Sequence, residues 1–290
     1  MNTSTGRKTV PFVESKMALM LSCWLFAHRF NRYPLLICGQ GSRGIAQAFA
    51  LSGNMDLIEV TPGQTGSSTD LAAALSSPAV RDSLPESELF VNNPFTSPEW
   101  YNMMLWLNEH NCTNAIISAP QSDELVNNAQ SIMSCCCPVL SELFVSDSEN
   151  CSAFNCATMK APADSTGEYG SHIWQTEESE EDGKLLFAAS EKLNLSPAAL
   201  RNMQNMLFCA RQMYKQQRGS ISVDDARIME LLFFVAPAAA LTGDHEVLGE
   251  CMRGRKVMSM LTPQARQALN HLHRTAEQRS MRAKGQISLF

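Results

Sequence analysis

Four short apolar runs constrain the fold of this chain more than any other feature. Residues 35–38, 57–60, 88–91 and 114–117 are each one strand long and draw on Leu, Ile, Val, Phe and Ala. Runs of that length fit strands with buried faces. Between them lie stretches with helical spacing: 45–51 after the first, and 98–109 before the fourth, where Trp100, Met103, Met104 and Leu107 share a face. A further helical pattern, 12–30, precedes them and places Met17, Leu21, Trp24 and Leu25 together. Strands alternating with helices predict a mostly parallel α/β sheet. Residues 142–145 are the expected fifth strand.

Composition agrees with a packed protein. The 290 residues are 44% hydrophobic and 18% charged, with 13 Phe and 16 Met, which excludes wholesale disorder. The richest apolar run, 17–30, is broken by Ser22, Cys23, His28 and Arg29, so no membrane span is expected. The N-terminus lacks the basic, apolar, small order of a signal peptide, and the expectation is an intracellular protein. Ten cysteines include no pair with two residues between, the spacing of zinc ribbons, and read as buried thiols. Cys135, Cys136 and Cys137 point in divergent directions and are expected in the core. His271 and His273 read as solvated helix residues, and no metal or cofactor is expected.

The chain changes character near residue 150. From Asp147 to Lys184 nine residues are acidic and two basic, with no sustained periodicity; from Arg253 to Lys284 eight are basic and one, Glu277, is acidic. After the acidic stretch the pattern is helical. Ser196 and Pro197 open a helix that Gly219 ends. Ser222 opens another that runs to about Leu241, with Pro237 as an expected kink, and Thr262 and Pro263 open the last. That last helix carries Ala265, Leu269, Leu272 and Ala276 on one side.

The stretch 35–46 has the order strand, glycine-rich turn, helix that phosphate-binding loops require. Against GxxxxGK[ST], Gly39 and Gly44 fit, with Gly41 between, but the lysine position is Ile45 and the magnesium hydroxyl position is Ala46. The run 88–91 ends at Asn92 and Asn93, where ATPases place an acidic pair, and an amide is neither a general base nor a metal charge. Any strand–helix turn can hold three glycines, and two asparagines also suit an ordinary strand end.

These elements in this order resemble an AAA+ ATPase module of the clade that holds the mini-chromosome maintenance (MCM) helicases and the MoxR-type chaperones. Residues 63–74, with Gly66, Ser67 and Ser68 ahead of Leu71, Ala72 and Ala73, are similar to the Gly-Ser-Ser…Leu-Thr-Ala segment that follows the P-loop helix in MCM proteins. Residues 14–22 resemble the helix before that loop, and 187–247 the helical lid. The lid and residues 186–190 are most similar to the MCM domain-containing protein 2 family and its insect meiotic relatives. The resemblance spans roughly 11–250. It implies that the sensor asparagine is replaced by Ala119, the arginine finger by Glu142 and the lid arginine by Asp224. Two cations that would meet the γ-phosphate are then acids, and such groups contribute several decades in rate. A pseudo-ATPase without cofactor follows.

The resulting expectation is a three-layer AAA+-like α/β core at 11–146 after a tail at 1–10. An acidic linker or insertion at 147–186, an all-helical lid at 187–252 and a basic helix and tail at 253–290 follow. The function implied is a nuclear, catalytically inactive scaffold in DNA recombination and repair that promotes meiotic crossovers within an MCM-like complex. With no counterpart of the family's oligonucleotide-binding domain, a separate partner carrying an N-terminal half is expected. Two alternatives stand beside it: an active AAA+ ATPase with Arg43 in place of the lysine, and a MoxR-like adaptor with no DNA role. Direct DNA contact, where it occurs, is expected at Arg253, Arg255, Lys256, Arg266, Arg274, Arg279, Arg282 and Lys284, whose alternative is a solvated basic face. Gln286, Leu289 and Phe290 resemble a tail that docks into sliding clamps, and also suit an ordinary terminus.

Overall fold

A computed structural model describes residues 15–31, 33–39, 42–52, 55–61, 75–83, 87–92, 97–109, 115–119, 122–143 and 183–285. The first helix, α1 (Ser15–Asn31), leads into β1 (Leu35–Cys38), α2 (Ser42–Ser52), β2 (Asp56–Val60) and α3 (Pro78–Ser83). Then come β3 (Ser87–Asn92), α4 (Ser97–Glu109), β4 (Ile116–Ala119), α5 (Asp123–Asn127), α6 (Ala129–Cys135) and β5 (Cys137–Leu140). The five strands form one parallel sheet in the order β2-β3-β4-β1-β5. The fold class is therefore α/β, and β1, β4 and β5 are buried along their whole length.

The fifth strand is displaced from its expected place. Residues 137–140 pair with β1, from Leu35↔Cys137 to Cys38↔Leu140. Of the expected strand, 142–143 belong to a 3-10 turn over Ser141–Leu143, and 144–145 lie outside the described residues. Pro138 hides the strand in the sequence, because a residue without an N–H argues against a central strand. β5 is an edge strand, where that loss is tolerated. Cys136 and Cys137 lie in the core, as expected, whereas Cys135 is half-buried against it.

Beyond the acidic stretch the described chain is helical: α7 (Lys184–Lys192), α8 (Pro197–Arg218), α9 (Val223–Glu230), a π turn (Leu231–Val235) and α10 (Ala236–Thr242). It closes with α11 (His245–Met252), α12 (Arg255–Met260) and α13 (Pro263–Ala283). Ser196, Ser222, Asp244 and Thr262 each accept a backbone N–H from the third residue beyond, which satisfies a donor left free at a helix start. Gly219 and Gly243 end α8 and α10 in the left-handed conformation that only glycine adopts cheaply. At Pro237, where a kink is expected, the helix carries a π turn just before the proline. A widened turn absorbs the missing N–H and the ring's clash with the carbonyl four residues back.

One hydrophobic core joins sheet and helices. The first helix is its spine: Trp24 meets Phe233 and Phe234 of the π turn at 6.0 and 6.3 Å, while Phe26 meets Phe49 of α2 at 6.2 Å. Among the described residues no helix is long and apolar enough to cross a membrane.

Candidate functional site: the strand ends of the sheet

Strand order locates the place where a ligand would sit. The connection leaving β1 passes β4 and β3 to reach β2, whereas the one leaving β4 passes β1 in the opposite direction to reach β5. The two diverge between β1 and β4, and ligands of open parallel sheets bind at such a point, beyond the C-terminal strand ends. Here that point is bordered by Cys38 and Gly39 on one side and by Ser118 and Ala119 on the other, which the register sets level with Asn92 of β3 and Leu140 of β5.

Hydroxyls close this edge. Ser42, the first residue of α2, donates its Oγ proton to Ser118 Oγ at 3.0 Å, and both are buried. Ser141, just past β5, donates to the Cys38 carbonyl at 3.3 Å, also buried. Gly39 has φ 118°, a conformation that other residues rarely adopt, so the chain turns sharply where β1 ends. None of the three serines was singled out by sequence reasoning. Their signal is weak, since a serine within a loop or near a strand end is common.

The positions read from the sequence fall into three sets. Gly39, Arg43, Gly44, Ile45, Ala46, Asn92 and Ala119 gather around these strand ends. Ile45 and Ala46 are 2% and 0% exposed, so both side chains face the core. Arg43 is exposed and donates from Nε to Glu59 of β2 at 2.7 Å, an interaction that pushes its guanidinium pKa further up. Glu142 lies on the 3-10 turn after β5. Asp224 is apart from them, in the first turn of α9, where it accepts a proton from Lys256 Nζ and favours the helix's positive end. Gly41, Asn93, residues 63–74 and the tail residues Gln286, Leu289 and Phe290 lie outside the described residues.

Of the basic C-terminal positions, Lys256 is tied to Asp224 and Arg279 to Asp123 of α5 at 2.7 Å. Arg253, Arg255, Arg266, Arg274, Arg282 and Lys284 are exposed. The helix that carries most of them is no loose appendage. Ala265, Leu269, Leu272 and Ala276 of α13 are buried against α11, α10 and the 3-10 turn after β5.

Charge is buried elsewhere. Arg211 of α8 and Glu230 of α9 pair at 3.0 Å, each 3% exposed. Glu230 also accepts the Leu186 N–H at 2.7 Å, and Arg211 donates to the Ala226 carbonyl at 2.8 Å. Nearby, Asp225 pairs with Lys16 of α1 and accepts from the Tyr214 hydroxyl. These groups join helices from distant parts of the sequence.

Among the described residues the cysteines and histidines form no ligand set. Burial pushes the Cys23, Cys209 and Cys251 thiols up to about 12, and those of Cys136 and Cys137 well above the usual range, so they stay protonated and are poor ligands. Among the described residues no group of three His, Cys, Asp or Glu could hold a metal ion. His271 is exposed, whereas His273 is half-buried and its ring lies 6.3 Å from that of His245.

No protein-family model, curated protein or solved structure matches this chain.

Proposed function

We propose that this chain is a catalytically silent, MCM-like scaffold that promotes meiotic crossovers within a nuclear complex and does not hydrolyse ATP. One observation carries the proposal, and it concerns the described residues at the strand ends where a nucleotide would sit. The polar groups there are the Ser42–Ser118 hydroxyl pair, the Ser141 hydroxyl, the Asn92 amide and Arg43, which Glu59 already holds, while Ile45 and Ala46 are turned into the core. Phosphoryl transfer is almost entirely electrostatic, and needs a cation on the phosphates and an acid on the metal. The sheet supports the AAA+ side of the reading. If its crossovers are right-handed, α2 lies on one face and α3 to α6 on the other, giving three layers. The lid assignment and the role in recombination rest on the resemblance of 186–247. Against the active-enzyme alternative, Arg43 already pairs with Glu59 on the edge strand.

Purified protein should show neither binding of labelled ATP nor magnesium-dependent turnover. Turnover above background that Arg43→Ala abolishes would overturn the proposal and favour the active ATPase. Co-purification from native tissue should recover an MCM-like protein or a chain with the N-terminal half. Recovery of the chain alone would overturn the scaffold reading.

A further inference from the structure

The described C-terminal helix divides its basic residues into those the fold uses and those it leaves outward. Arg279 is committed to Asp123, as Lys256 of the neighbouring α12 is to Asp224. Arg266, Arg274 and Arg282 are exposed and recur every eight residues along α13, with Asn270 and Gln278 midway between them. Steps of four residues put these five positions on one ridge that winds about 40° per step, so successive arginines stand about 80° apart around the helix. At 1.5 Å per residue, successive arginines stand about 12 Å apart along the axis. The opposite side, Ala265, Leu269, Leu272 and Ala276, is buried, so the ridge is held on a fixed helix. Nε of Arg266 donates to the Leu261 carbonyl at 3.0 Å, which anchors its stem and leaves its terminal nitrogens as donors.

We infer that this ridge binds the phosphate backbone of duplex DNA without sequence preference. Three partners compete for a basic ridge, and the composition of its exposed face separates them. A protein interface needs an apolar centre with aromatic anchors, and Met281 is the exposed apolar side chain of any size on α13. A single-strand site needs aromatic platforms for bases, and α13 carries no aromatic beyond His271 and His273. Charge with interleaved Asn and Gln suits phosphate oxygens, and a 12 Å step is about the width of the major groove. Successive arginines can then meet the two backbones that border it. The inference deepens the DNA side of the scaffold reading and rests on it only for the choice of DNA over RNA. It requires nothing of the strand ends.

The test uses the full chain and a mixed-sequence 30-base-pair duplex, with affinity measured by anisotropy between 50 and 200 mM salt. Deleting 253–290 would strip Leu269 and its neighbours from the core, so the variant is Arg266→Gln, Arg274→Gln and Arg282→Gln together, checked by its melting curve. Each phosphate contact contributes about 0.9 to the slope of log affinity against log salt, so the triple variant should lose about 2.7 of that slope. Lys192→Gln, whose side chain is paired with Glu250 at 2.6 Å, should leave the slope unchanged. Absence of duplex binding by the wild type at 50 mM would overturn the inference. So would an unchanged slope in the triple variant, tighter binding to single strands, or tighter binding to polyglutamate. ATP binding and partner recovery read the scaffold proposal separately.

Discussion

The helical region and the strand ends of the sheet treat polar groups in opposite ways. Between α7, α8 and α9 a full ion pair, Arg211 with Glu230, is taken out of water together with the Leu186 amide. Between β1 and β4, where a nucleotide enzyme would concentrate charge, two serine hydroxyls satisfy each other. Burying a charge costs several kcal/mol unless partners surround it, whereas a neutral hydrogen bond contributes about 1 kcal/mol. The helices thus hold the strongest polar interactions of the described chain, and their partners are all internal. A buried charge with internal partners marks architecture, and by itself says nothing of catalysis.

Breaking the larger side of this comparison should be costly. Arg211→Ala leaves the Glu230 carboxylate buried without its cation, and the expected loss is about 3–5 kcal/mol in urea unfolding. The paired variant Arg211→Met with Glu230→Leu should recover most of that loss, because matched apolar groups often replace a buried pair at little cost. A single variant within about 0.5 kcal/mol of the wild type would mean that the pair is open to water.

A second substitution asks whether α13 belongs with the architecture or with a ligand. Leu269 is fully buried, and Leu269→Ala should cost about 2–5 kcal/mol by loss of transfer energy and the cavity left behind. Arg274→Gln on the same helix should stay within about 0.5 kcal/mol, since its side chain is exposed. Equal costs, read from the same denaturation curves, would erase the two-sided view of this helix.

The contrast between the regions also shows what the sequence could convey. Local signals were readable: the runs around Leu36, Ile58, Phe90 and Ile117, the caps Ser196, Ser222 and Thr262, and the apolar face of α13 all depend on neighbours within a few residues. Pairings between distant positions were not. Arg211 and Glu230 are 19 residues apart, Glu230 and Leu186 44, and Ser42 and Ser118 76, and no periodicity links them. Pro138 concealed β5 because a residue that weakens strands in general is harmless at a sheet edge. Of the strand-end residues, the glycine turn was legible from spacing. The hydroxyl closure was not, because it depends on β4 lying next to β1.

Alkaline pH separates the apolar interior from both polar regions. The Cys209 thiol is raised by burial from an ordinary 9.0 to about 12. Between those values the unfolded chain releases a proton that the folded chain keeps, so this stabilisation is complete below pH 9 and is lost as pH rises toward 12. Over that window the wild type should lose about 1.4 kcal/mol per pH unit more than Cys209→Ala. The two stability curves should therefore converge above pH 9, as followed by urea midpoints at each pH. Parallel curves would show that the thiol is accessible to water.

The smallest effect is expected at the strand ends. Ser42→Ala leaves Ser118 buried with its acceptor unused, and Ser118→Ala does the reverse, so each should cost about 1 kcal/mol. Removing both hydroxyls leaves neither group stranded, and the double variant should cost no more than the larger single change, with a coupling of about 0.5 kcal/mol or more. Since the pair bridges the start of α2 and the end of β4, it acts on stability there as one neutral hydrogen bond in the interior. A single-variant loss of about 3 kcal/mol or more would match the Arg211 network instead. The strand ends would then hold a strong polar site, and the difference between the two regions would collapse.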